Sequence, residues 1–133
     1  MVAARKVLIV EDNPLNLELL EAVLQGAGFT VMTAVDARSG LEKAFASRPD
    51  VILMDVQLPE MDGLEATRAL SEDPRTARVP VIAVTAHVKK DDEERCFAAG
   101  CVRHVSKPVD TRTLPELVAL VIEEAQTRGS TPA

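Results

Sequence analysis

Val7-Leu8-Ile9-Val10-Glu11-Asp12 carries the pattern that decides the fold: four consecutive apolar residues that stop abruptly at two acids. The pattern recurs downstream. Val51-Ile52-Leu53-Met54 stops at Asp55, and Val81-Ile82-Ala83-Val84 stops at the hydroxyl of Thr85. A β-branched run of this length without alternation has no polar face, so as a strand it must be covered on both sides.

The segments between these runs supply the covering helices. Asn13-Pro14 is a helix start, with proline suited to the first turn, and Leu15, Leu19, Leu20, Val23 and Leu24 follow at helical spacing until Gly26 and Gly28. Residues 29–34 read as a second strand and 36–48 as a short helix with Leu41, Ala44 and Phe45 on one face. Residues 57–63 form a loop that leads into a helix through about Leu70. A charged helix over 89–99 stops at Gly100, a short run over 102–105 ends at Ser106-Lys107-Pro108, and a last helix holds Leu114, Leu117, Val118, Leu120, Val121 and Ile122. Apolar strands alternating with helices predict an α/β fold: a five-stranded parallel sheet in the doubly wound order 2-1-3-4-5. Residues 1–125 read as one domain, and 126–133 read as a disordered tail.

Composition narrows the function. The 133 residues suffice for one domain, and at 47% hydrophobic but 2% aromatic the core must be built from Val, Leu, Ile, Ala and Met. A net charge of −6 argues against non-specific nucleic-acid binding, which needs basic residues against phosphates. No signal-peptide core and no membrane-length apolar stretch is present, so the expected location is cytoplasmic, with no membrane partner. Cys96 and Cys101, with four residues between them, match neither a redox pair nor a zinc site and read as small core residues.

In a sheet of this order, ligands bind beyond the carboxyl ends of the strands where the order reverses, between strands 1 and 3. Glu11, Asp12 and Asp55 converge there. Like charges so close would repel strongly and raise one pKa unless a cation sits among them, and oxygen-only donors suit Mg²⁺, with Mn²⁺ able to substitute. Strand 4 adds the Thr85 hydroxyl, and strand 5 adds the Lys107 ammonium. Nucleophile, metal, hydroxyl and ammonium together match in-line phosphoryl transfer, with Asp55 as acceptor. Alone, Asp12 would read as a helix cap, Thr85 as a strand-end hydroxyl and Lys107 as a solvated charge. Their arrival at one sheet edge is what carries the reading.

Four stretches, 7–13, 50–63, 80–86 and 106–108, make the chain resemble the receiver domain of two-component response regulators over essentially its whole length. Within that family it is most similar to the small stand-alone, DivK-type receivers, through Asp92-Glu93-Glu94-Arg95 and Gly100-Cys101. The resemblance implies a flavodoxin-like (βα)5 fold and a phosphoryl group received on Asp55 from a phosphohistidine of a sensor histidine kinase or a histidine phosphotransfer protein. It implies Mg²⁺ held by Asp12, Asp55 and the Gln57 backbone carbonyl, with Glu11 acting largely through water. Thr85, the Ala86 amide and Lys107 would bind phosphoryl oxygens, and the Lys107-Pro108 bond would be cis. Gln57 and His87 would flank the phosphoryl group and tune its hydrolysis. Thr85 would also operate a switch in which an aromatic side chain on strand 5 follows it inward.

His104 departs from the family pattern, standing where Tyr or Phe is usual. It reads either as a partly exposed residue filling that slot or as a titrating group whose protonated form disfavours the inward state, active across about pH 6 to 8. The chain from Lys107 to Ala133 is expected to hold no output domain, so output would pass to a downstream protein through helix 4, strand 5 and helix 5. Competing expectations are a receiver excised from a larger hybrid kinase or regulator, a haloacid-dehalogenase-like phosphatase, and a flavin-binding flavodoxin-like protein. The phosphatase needs a second acid where Gln57 stands. The flavin protein needs a Gly/Ser/Thr-rich first turn where Glu11-Asp12-Asn13-Pro14 stands.

Overall fold

The computed structural model describes residues 5–58, 62–86 and 90–130, the side chains of 90–92 and 128–130 excepted. Five strands, β1 (Lys6–Val10), β2 (Thr30–Ala34), β3 (Val51–Asp55), β4 (Val81–Thr85) and β5 (Arg103–Ser106), alternate with α1 (Pro14–Gly26), α2 (Ala37–Ser47), α3 (Gly63–Glu72), α4 (Lys90–Ala99) and α5 (Leu114–Ser130). All pairings are parallel, and the strand order is β2-β1-β3-β4-β5 as the sequence predicts.

Side-chain alternation along each strand divides the core into two layers. Leu8, Val10, Ile52, Met54 and Ala83 pack with α2, α3 and α4. Val7, Ile9, Leu53, Ile82 and Val84 pack with Leu20 and Leu24 of α1 and with Val118 and Ile122 of α5. Every residue of β3 and β4 is buried, which explains why their sequences carry no polar alternation. Each large side chain so buried contributes about 1.5–3 kcal/mol. Cys96 and Cys101 are buried members of the first layer and form no disulfide, and burial pushes the Cys101 thiol up to about 12.

Local signals place the helix starts. Asn13 caps α1, its side chain accepting from the amides of Leu15 and Asn16 at 3.0 and 3.2 Å, with Pro14 as first helical residue. Asp12 is therefore not needed as a cap. Asp62 caps α3 by accepting from the Glu65 amide at 2.8 Å. At the other end of the chain, α5 continues to Ser130, past the domain limit expected at residue 125. The stretch 123–127 lacks helix breakers, and Thr127 donates to the Glu123 carbonyl one turn back at 3.0 Å, so the helix runs into the glycine-containing segment. Residues 131–133 lie outside the described residues.

Candidate functional site

Strand register assembles the site. β1 and β3 pair Val10 with Met54, so the next residues along, Glu11 and Asp55, stand side by side at the reversal of strand order. β4 and β5 pair Thr85 with Ser106, which brings Lys107 one step beyond. The Glu11 amide donates to Ala34 at 3.0 Å, and the Lys107 amide donates to Thr85 at 2.8 Å, so both acid and base are anchored by their own backbones.

The acids are buried where they meet: Glu11 is 2% exposed and Asp55 3%, whereas Asp12 is exposed. The Lys107 ammonium lies 3.1 Å from Glu11 Oε1 and 3.1 Å from Asp55 Oδ2. The Gln57 amide donates to Asp55 Oδ1 at 2.9 Å, so each Asp55 oxygen has one donor. Asn13 donates through its amide to Glu11 Oε2 at 3.3 Å.

The charges do not balance. Among the described residues, three carboxylates face one ammonium. Burial first, then a hydrogen bond and repulsion from Asp55, raise the Glu11 pKa, and the opposing pull of Lys107 does not offset them. For Lys107 the largest effect is burial, which lowers its pKa; the hydrogen bonds to Asp55 and Glu11 outweigh it, and the net direction is up. One carboxylate oxygen from each of Glu11, Asp12 and Asp55 lies within 4.8 Å of the others. A hard, all-oxygen donor set with surplus negative charge fits Mg²⁺.

Thr85 is buried at the end of β4, and Ala86 follows it, exposed. A cavity of about 290 Å³ opens beside Thr85, lined also by Gln57, Asp62, Arg95 and Cys96. The Lys107-Pro108 peptide is cis. His104, in β5, meets α4, while His87 lies outside the described residues.

Sequence reasoning missed two participants. Gly63 closes on Asp55 so tightly that a Cβ there would sit 2.1 Å from the Asp55 carbonyl oxygen. The only sequence signal was the Asp62-Gly63 pair at a helix start. Arg95 on α4 reaches the cavity beside Thr85, and nothing in its helical spacing marked it.

A family model described as "Response regulator receiver domain" matches residues 7–119. The chain belongs to the response regulator receiver family. Among its relatives, the polar-differentiation response regulator DivK of Brucella anthropi is 40% identical over 121 residues, spanning 91% of this chain and 98% of that protein. Among solved structures, the receiver domain of the sensor histidine kinase PA1611 from Pseudomonas aeruginosa is 36% identical with a TM-score of 0.84, covering 91% of this chain and 99% of that one. That structure has a magnesium ion coordinated in its active site cleft. The chemotaxis protein CheY4 of Vibrio cholerae is 32% identical with a TM-score of 0.86, covering 90% of this chain and 99% of that one. Membership in this family goes with the predicted (βα)5 fold. Among the described residues, no helix is long and apolar enough to cross a membrane.

Proposed function

We propose that this receiver accepts a phosphoryl group on Asp55 and signals by a phosphorylation-dependent change of protein contacts. The observation that carries the proposal is the pairing of two buried acids, Glu11 and Asp55, on one ammonium, Lys107, at the reversal of strand order. The donor is a phosphohistidine of a sensor histidine kinase or of a histidine phosphotransfer protein. Asp12, Asp55 and the Gln57 carbonyl hold Mg²⁺, with Glu11 acting largely through water, and Mn²⁺ substitutes. When bound, the metal neutralises charge on the phosphoryl oxygens.

This chain's own residues do the rest. An Asp55 carboxylate oxygen attacks phosphorus, the P–N bond to the donor imidazole breaks, and its electron pair leaves with the imidazole. The Gln57 amide keeps Asp55 Oδ1 fixed, so Oδ2 is the attacking oxygen. Lys107, already 3.1 Å from that oxygen, moves with the new charge onto a phosphoryl oxygen. The Thr85 hydroxyl and the Ala86 amide donate to the others. Hydrolysis returns phosphate, at a rate tuned by Gln57 and His87. The chain catalyses only its own loading and unloading.

Output runs through the α4, β5 and α5 face to a downstream protein in the cytoplasm, without nucleic acid or membrane. A stand-alone role is supported by the DivK relative, nearly all of which the chain spans. The PA1611 receiver, part of a sensor kinase, supports the second reading, a receiver module of a larger kinase or regulator. The direct test is to incubate the protein with a small acyl phosphate and Mg²⁺ and weigh it intact. Wild type gains the mass of one phosphate and Asp55→Asn gains none; no gain in wild type, or an equal gain in both, defeats the proposal.

A further inference from the structure

The amino ends of the strands, at the far side of the sheet from Asp55, carry a feature that the phosphoryl chemistry does not use. A cavity of about 240 Å³ there is lined by Arg48, Arg75, Arg78 and Gln126, together with buried Pro49 and Ile122. A second cavity of about 330 Å³ adjoins it, since Arg78, Val79, Pro80 and Ala125 line both. Apart from Arg78, the side chains around the second cavity are apolar. The chain has a net charge of −6, so three guanidinium groups at one cavity run against its overall charge. Among the described residues, Asp50 is the one carboxylate lining it, and Asp50 Oδ2 accepts from the Lys6 amide at 2.7 Å.

Local structure sets the arginines in place. The Thr76 amide donates to the Asp73 carbonyl at 3.0 Å, the Val79 amide donates to the Thr76 carbonyl at 3.0 Å, and the buried Thr76 hydroxyl donates to the Leu70 carbonyl at 2.7 Å. Arg75 and Arg78 therefore stand on a pinned double turn. Asp73 accepts from Arg75 Nε at 3.0 Å and from its Nη2 at 2.8 Å, and the guanidinium lies 4.3 Å from the centre of the Phe45 ring. Three of the five Arg75 N–H donors stay unused among the described residues. Arg48 caps the end of α2 at φ 46°, in the left-handed region that glycine enters without strain. Neither Arg48 nor Arg78 makes a side-chain hydrogen bond or ion pair among the described residues.

We propose that the joined cavities form a mononucleotide site, with the phosphate held by Arg48, Arg75 and Arg78 and the base laid in the apolar cavity. The inference is independent of the phosphoacceptor reading of Asp55. Guanidinium forks in this number exceed what the two oxygens of a carboxylate accept, and they suit the three terminal oxygens of a phosphate monoester. The apolar chamber beside them calls for a flat, weakly polar body joined to that phosphate. A sugar phosphate is polar on all sides and leaves the chamber unfilled. Arg78 stands in the wall of both cavities, so its guanidinium plane can stack on a base while its edge donates to the phosphate. Together the two volumes fall within the range of small-ligand sites, about 300–1,000 Å³.

Each arginine that donates to the phosphate contributes a charge-assisted hydrogen bond, whose loss weakens binding about tenfold. Arg48 separates binding from folding. Glycine at that position removes the guanidinium and relieves the left-handed backbone in one step, so affinity falls while the fold is not weakened.

The test titrates the full chain with AMP and with GMP, and separately with adenosine and with inorganic phosphate, by calorimetry and by amide NMR. EDTA is present throughout, so that no metal at Glu11, Asp12 and Asp55 carries a nucleotide to that end of the sheet. Stacking tolerates any base, so the two nucleotides stand for the class. In wild type a nucleotide is expected to bind and to shift the amides of Arg78, Val79 and Val102, with adenosine and inorganic phosphate each at least about tenfold weaker. Arg48→Gly and Arg78→Gln are each expected to weaken the nucleotide about tenfold, and Arg48→Gly to melt no lower than wild type. Absence of binding by both nucleotides at about 1 mM overturns the site. So does nucleotide affinity unchanged in both variants, or inorganic phosphate that binds as tightly as the nucleotide.

Discussion

Asp55→Asn is expected to invert the order of stability between metal-free and Mg²⁺-loaded protein. Asparagine keeps the shape of Asp55 and the bond from the Gln57 amide, and removes one charge from a nearly dry position. Against the Lys107 ammonium at 3.1 Å, that charge is worth about −5 kcal/mol at an effective dielectric of 20. Against Glu11 and Asp12, each with an oxygen within 4.8 Å, it costs about 3.5 kcal/mol apiece at the same dielectric, less for exposed Asp12. Attraction and repulsion nearly cancel, and the desolvation of a buried carboxylate remains on the debit side. Metal-free Asp55→Asn should therefore be more stable than wild type by about 1 kcal/mol, a rise of about 3 °C for a domain of this size. Bound metal reverses this. At a hundredfold excess over its dissociation constant, Mg²⁺ adds about 2.7 kcal/mol to wild type, and the variant, short of a donor, should gain less than about 1 kcal/mol. The chain has no Trp and no Tyr, so the assay is thermal unfolding by far-UV circular dichroism, with EDTA and with Mg²⁺. Equal Mg²⁺ shifts in both proteins, or a metal-free variant less stable than wild type, would refute the reasoning.

Two further perturbations probe the same site from other sides. Without metal, Glu11→Gln should stabilise the protein increasingly as pH rises above 4.5, because folded Glu11 holds its proton more tightly than the unfolded chain does. Stability of wild type is thus lost upward from that pH, and a difference between the two proteins that is flat or shrinks with pH in chemical denaturation would contradict it. Gly63→Ala should cost about 3 kcal/mol and slow phosphorylation, since its Cβ would collide with the Asp55 backbone carbonyl. Gly26→Ala, whose Cβ meets nothing within 4 Å, serves as the control and should remain within about 0.5 kcal/mol of wild type in the same denaturation assay.

Much of the architecture was legible because strand burial writes itself into residue type. Val51 to Asp55 and Val81 to Thr85 are buried throughout, and no soluble edge strand tolerates such runs. The end of α5 was not legible, because Gly129 and Ser130 read as a tail while the helix continues to Ser130. A helix end is decided by small local differences, and glycine shifts them by only about 1 kcal/mol. Asp12 had two readings in sequence, cap or site. The structure separates them by giving the capping role to Asn13.

Sequence alone determined that acids and a hydroxyl terminate three buried strands, and with the strand count that placed chemistry at one edge of a parallel sheet. Residue type and period suffice for this, since both express the local burial of a strand. Which groups share a partner was decided only by the tertiary structure. Lys107 and Asp55 are 52 residues apart, and their contact depends on the register of β3, β4 and β5. The same holds for Gly63 against the Asp55 carbonyl and for Glu93 on His104, where the packing of one element on another sets the distance. Electrostatic partners act through distances of a few ångströms, and only the folded chain brings residues so far apart in sequence that close.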